Sequence, residues 1–195
     1  MMMWLMSLVL CLGCGRLTAQ RSGPNLETLV NQAGMIFAGK VIDVETGKKA
    51  RMNLYMTAYT FEVLDPVYGV DGDTITVKQY GGEANGHHFY PKGIPRFDVG
   101  EEVVVFLYPL SYIGMTSAVG KDQGKFWIRG TDSLGTRVVV NKRGNKGLFR
   151  RLRHPDLLVD KAWLDEDPAP LSYQPFMKTV KNLVEKLKEE HRQSR

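Results

Sequence analysis

The sequence predicts a mostly β protein, a small antiparallel β-barrel with a C-terminal amphipathic α-helix, and three observations carry that expectation. From Met35 to Asn141 the apolar residues recur mainly at every second position, the period of a half-buried strand. Turn residues cut this stretch into runs of about 6 to 13 residues, and five or six such strands, the first two long and curved, suggest a small closed barrel. Only near the end does the period become helical, where Phe176, Val180, Leu183, Val184 and Leu187 make one apolar stripe.

The chain opens with an apolar run, Met1 to Leu12. About a dozen residues make roughly 18 Å of helix, short of a hydrocarbon core of about 30 Å, so residues 1–19 fit a signal peptide better than a spanning helix. The expected product is secreted, periplasmic or extracellular. Two cleavage readings stay open. Leu17-Thr18-Ala19 puts a small residue before the bond and leaves Gln20 first, whereas a lipoprotein reading makes Cys14 the lipidated first residue, with Gly13 before it. Membrane attachment, as an outer-membrane lipoprotein, follows only from the second. Cys11 and Cys14 are the only cysteines, so cleavage after Ala19 leaves none and their C-x-x-C spacing inside an apolar leader is incidental. A body of about 175 residues is long enough for one sizeable core without disulfides.

Residues 20–34 read as an N-terminal linker, and residues 35–150 as the barrel domain. Its first strand runs Met35 to Val44, where Gly39 suggests a bulge or a strong bend. Met52 to Leu64 follows, with Tyr59, Phe61 and Val63 on one face and Thr60, Glu62 and Leu64 on the other. Asp71-Gly72-Asp73 turns into Thr74 to Gln79, where Ile75 and Val77 alternate with polar residues. Gly81 to Gly100 shows no period and reads as a long surface excursion carrying Tyr80, Phe89, Tyr90 and Phe97 toward the domain. Glu102 to Leu107 is continuously apolar after its first residue, the pattern of a central strand buried on both faces. Phe126 to Ile128 and Arg137 to Asn141 are two further strands, with a turn over Thr131 to Gly135. Residues 151–170 connect to a helix over 171–191, for which Ser172 and Pro175 supply an N-cap and a first-turn proline.

Loss of Arg16 with the leader takes the formal net charge from +5 to +4, so the mature protein is only mildly basic. That charge is uneven. Arg137, Lys142, Arg143, Lys146, Arg150, Arg151 and Arg153 follow one another, with His154 and without an Asp or Glu among them. On one side of a hairpin and its following loop, such side chains present donors to phosphate, sulfate or carboxylate, and they are the candidate ligand-binding residues.

Other constellations carry less. His87 and His88 are adjacent, so on an extended chain they point to opposite sides, and neither H-E-x-x-H nor H-x-x-E-H spacing occurs. Ser117, in Gly114-Met-Thr-Ser-Ala-Val-Gly120, lacks the G-x-S-x-G spacing of an exposed nucleophile. Glu101-Glu102 and Asp165-Glu166-Asp167 lie in polar stretches, where solvated charge explains them. No catalytic residue, metal ligand or cofactor is assigned, and the chain is expected not to be an enzyme.

The strand order resembles the netrin and TIMP-like modules, OB-like barrels whose strands are matched here by Ile36 to Val41, Tyr59 to Val63 and Val104 to Leu107. The chain also resembles an uncharacterised exported bacterial protein family with segments matched by Gly81-Gly82, Gly93 to Phe97, Thr116 to Gly120 and Gln123 to Phe126. The second likeness implies export and no particular activity. The first implies an OB-like fold and, as an alternative function, protease inhibition. TIMP inhibitors grip a protease zinc through an N-terminal Cys-x-Cys, whereas Cys14 is followed by Gly15 and Arg16. The leading expectation is a non-enzymatic binding module in the cell envelope. Its ligand would be an acidic glycan, a lipid headgroup or a protein, met through the basic hairpin and the aromatic loop, with no nucleic acid partner. An envelope enzyme without recognisable motifs is the remaining alternative.

Overall fold

Alternation of large apolar residues with polar ones along β1 (Met35–Lys49) and β2 (Leu54–Tyr68) pairs these strands over almost their whole length, and they organise a sheet whose two faces are both buried. The computed structural model describes residues 23–49, 53–130, 137–165 and 170–193. The leader, both cleavage positions with Cys14 and Gln20, Met52 and the turn over Thr131 to Gly135 lie outside the described residues.

The remaining strands are β3 (Thr74–Tyr80), β4 (Gly82–Ala84), β5 (His87–Phe89), β6 (Glu102–Leu107), β7 (Lys125–Arg129), β8 (Val138–Asn141) and β9 (Leu171–Ser172). The main sheet is antiparallel in the order β3-β2-β1-β6-β7-β8-β9, and β4 pairs with β5 in a separate hairpin. The expected central strand is β6, fourth of seven, with every residue from Val103 to Leu107 buried. The bend expected at Gly39 is a register shift between Ala38 and Gly39. A Cβ at Gly39 would stand 2.9 Å from the Glu62 carbonyl oxygen and 3.0 Å from the Phe37 ring, so this crossing needs a residue without a side chain.

Successive residues of β6 feed different cores. Val103, Val105 and Leu107 join Phe37, Val41, Tyr59, Phe61, Val77 and Phe97 on the concave side. Rings there meet edge to face, Phe61 lying 5.3 Å from both Phe37 and Phe97. Val104 and Phe106 join Ile36, Ala38, Phe126, Ile128 and Val139 on the other side, which two helices cover. One is α2 (Tyr173–Gln193), whose stripe of Phe176, Val180, Leu183, Val184 and Leu187 is buried as its spacing predicts, so the helix docks on the sheet.

The other is α1 (Leu26–Gln32), in a region expected to be a linker. Asn25 caps it, its Oδ1 accepting from Thr28 N–H at 2.9 Å, and Leu26, Leu29 and Val30 enter the helix-side core. A seven-residue helix is too short to display a period of 3.6, and that is why it escapes a reading by pattern.

The expected barrel closure is not formed by strand pairing. Among the described residues β3 and β9 end the ladder without meeting, because the outward side chains of β6, β7 and β8 are apolar and are covered by helices instead. One main-chain bond, Thr116 N–H to the Lys78 carbonyl at 2.9 Å, reaches β3 from the loop after β6. The excursion after Tyr80 differs as well. It holds the β4-β5 hairpin, and of its aromatic residues Phe97 is fully buried while Tyr80 and Phe89 stay exposed, ring against ring at 5.2 Å.

Candidate functional site

β8 ends at Asn141, and the main chain then makes a run of turns through Arg151. Two asparagines set its start. Asn141 Oδ1 accepts from the N–H groups of Arg143 and Asn145, both at 2.9 Å, while Asn145 Oδ1 accepts from Asn141 N–H at 2.9 Å. Asn145 is fully buried at φ +61°, a left-handed conformation that asparagine tolerates, and its amide donates to the Val139 carbonyl at 3.1 Å. Leu148 and Phe149 anchor the middle in the helix-side core, with Phe149 stacked on Trp163 at 4.9 Å. Near the far end, Asn25 Nδ2 donates to the carbonyls of Arg150 at 3.0 Å and Arg151 at 3.2 Å. Just beyond, the buried Glu27 carboxylate accepts from the N–H groups of Arg153 at 2.8 Å and His154 at 2.6 Å. The loop is therefore held by apolar anchors and side-chain bonds along its length.

The seven candidate cations divide on this frame. Arg143, Lys146, Arg150 and Arg151 are exposed on the pinned turns. The other three meet carboxylates of the same chain. Lys142 Nζ lies 2.8 Å from Asp122, and Arg153 lies 3.4 Å from Glu190 and 3.9 Å from Glu27. Arg137 pairs with Glu102 and covers the Tyr173 ring, at the opposite end of β8 from Lys142. These pairs are largely solvated and add little to stability, but they neutralise local charge. The single basic surface expected from Arg137 to Arg153 thus contracts to the turn region 143–151.

A second cluster was not visible in sequence. Glu101, expected to be solvated, accepts from Lys125 Nζ at 2.6 Å, Trp127 Nε1 at 3.0 Å and Asp98 N–H at 3.1 Å. Lys125 also donates to the Arg96 carbonyl at 2.8 Å and lies 4.6 Å from the Phe97 ring centre. Burial raises the Glu101 carboxyl, but bonds from Lys125, the Asp98 N–H and Trp127 outweigh it and hold the pKa below its ordinary value. For Lys125 burial dominates and lowers the pKa in spite of Glu101. The contrast follows from depth, since the lysine side chain is 4% exposed and the glutamate 22%. With its ammonium committed to two acceptors, Lys125 is a post under the 93–101 segment. The alternation of Lys125 and Trp127 against Phe126 and Ile128 was the one sequence signal for it. It also draws together two of the segments that carry the bacterial resemblance, Gly93 to Phe97 and Gln123 to Phe126.

Of the remaining candidates, His87 and His88 lie exposed on β5, and among the described residues no group of three His, Cys, Asp or Glu side chains is placed to hold a metal. Ser117 uses its carbonyl to accept from Tyr108 N–H at 3.0 Å. No helix among the described residues is long and apolar enough to cross a membrane. The chain matches no family model, no curated protein and no solved structure.

Proposed function

We propose that this chain is an exported, non-enzymatic binding module that takes an anionic ligand on the loop carrying Arg143, Lys146, Arg150 and Arg151. One observation carries the reading: these cations stand exposed on main chain already fixed by Asn141, Asn145, Asn25 and the buried Leu148 and Phe149. A loop ordered before binding loses little entropy when the ligand arrives, so charge placed there converts into affinity more fully than charge on a mobile tail. Arginine adds paired, planar donors that suit phosphate, sulfate and carboxylate oxygens. The inhibitor alternative requires an N-terminal Cys-x-Cys that this sequence does not contain.

The test is retention on immobilised heparin. Chain beginning at Gln20 should elute at clearly higher salt than its R143A/K146A/R150A/R151A variant, both checked for unchanged circular dichroism. Equal elution of the two folded proteins removes the reading. Mass measurement of protein from its native host tests export directly, with a first residue at Gln20 or an acylated Cys14 expected and an intact leader contradicting it.

A further inference from the structure

The first described residues lie against the cationic loop. A Cβ at Gly23 would collide with the Gln123 amide and stand 2.6 Å from Arg143 Nη1, and two residues later Asn25 is bonded to the carbonyls of Arg150 and Arg151. Whatever precedes Gly23 therefore leaves the folded body on the side that carries the exposed cations. Cys14, the residue acylated in the lipoprotein reading, is nine positions earlier. Nine residues span at most about 30 Å when fully extended.

We infer that the anionic ligand is a bilayer surface. On this account the cationic loop lies flat on the acidic headgroups of the membrane to which Cys14 tethers the chain, and the proposal rests on the anion-binding reading above. Three features of the loop's surroundings fit that occupant. The nearby acids are already matched within the chain, Asp122 by Lys142 and Glu27 and Glu190 by Arg153, with Glu190 also 2.8 Å from His154 Nε2. Beside Arg150 and Arg151 a groove of about 640 Å³ is rimmed by Trp163 and by Leu164, which is 45% exposed. Asp165 is the one acid on that rim. Cations flanking an exposed leucine suit the boundary between headgroups and acyl chains.

The electrostatics set the scale. A surface potential reaches only about one Debye length, roughly 8 to 10 Å, so cations placed away from the tether would feel little of it. With the loop at the tether's exit, one acyl anchor and a polybasic patch act together, the combination that turns marginal anchoring into stable anchoring.

Sedimentation with vesicles separates this inference from the reading beneath it. Chain from Gln20, which keeps every described residue, should bind vesicles of phosphatidylcholine with about one-third phosphatidylglycerol. It should bind pure phosphatidylcholine far less. Removing any one of the four cations should weaken partitioning about fivefold, from about 1 kcal/mol per basic residue near a charged surface. On the bound protein, amide hydrogen exchange should slow at residues 143–151 and not at the turn 71–73, five strand positions away across the sheet. Heparin retention that depends on the four cations, with no preference for acidic vesicles, overturns the membrane as ligand and leaves the anion-binding reading standing. Slowing at 71–73 in place of 143–151 overturns the orientation, and failure on both heparin and vesicles removes both proposals.

Discussion

Lys125 shows what one buried charge does when its partners are arranged in advance. Its ammonium is enclosed by Glu101, the Arg96 carbonyl and the Phe97 and Trp127 rings, so removing either charge strands the other away from water. Glu101→Gln is expected to cost about 3 kcal/mol in urea denaturation near neutral pH. The dependence on pH has a definite sign. Glu101 titrates in the folded protein below its ordinary value of 4.5, so its stabilisation is complete above that value and fades as pH falls through the folded one. The difference between wild type and E101Q should therefore shrink in acid, and a gap that stays constant down to about pH 2 contradicts the assignment. In the sequence Glu101 and Glu102 read as a pair because they are neighbours, yet they turn to opposite partners, Lys125 and Arg137. Both partners are more than twenty residues away, beyond the range at which local pattern carries information. The cationic loop was easier to find, since its charges are contiguous. What the pattern could not show is which of them would meet Asp122, Glu102 and Glu190 and so leave the exposed set.

At the level of elements, legibility followed length. β6 is continuously apolar because both of its faces are covered, and α2 displays five apolar positions at helical spacing because only one face is. The bulge opposite Gly39 announced itself through a glycine in mid-strand. α1 and the β4-β5 hairpin, with seven and three residues to an element, offered too few positions for a period to emerge. The ordering of α2 yields a direct expectation. Phe176 is fully buried, 5.1 Å from the Phe126 ring, so Phe176→Ala should cost about 3 to 5 kcal/mol, read as a fall in the urea midpoint at unchanged slope. A loss below about 1 kcal/mol would mean that the helix is peripheral to the fold.

Over the whole molecule, one sheet divides two apolar layers that share β1 and β6 but no side chain. The concave layer is built from strands and the segment around Phe97, whereas the other needs α1 and α2 to exclude water. Ending the chain after Ser172 should accordingly leave Phe106, Phe126 and Val139 exposed on a largely intact sheet. That protein is expected to bind a dye specific for apolar surface and to aggregate while keeping a β-type circular dichroism spectrum. Recovery of a stable truncated monomer that ignores the dye would show that the helical layer is dispensable.

The helical layer is made from both extremities of the described chain. Leu26, Leu29 and Val30 arrive at the start of synthesis, and the Phe176 to Leu187 stripe that packs beside them arrives at the end. A nascent chain crossing a membrane behind its leader would hold its first helix for about 140 residues without the surface that completes its burial. Vectorial delivery therefore separates α1 from its cover in time, and the last stage of folding waits for release of the final two dozen residues. For an exported protein this delay is useful, because a body that cannot close early remains threadable until passage is complete.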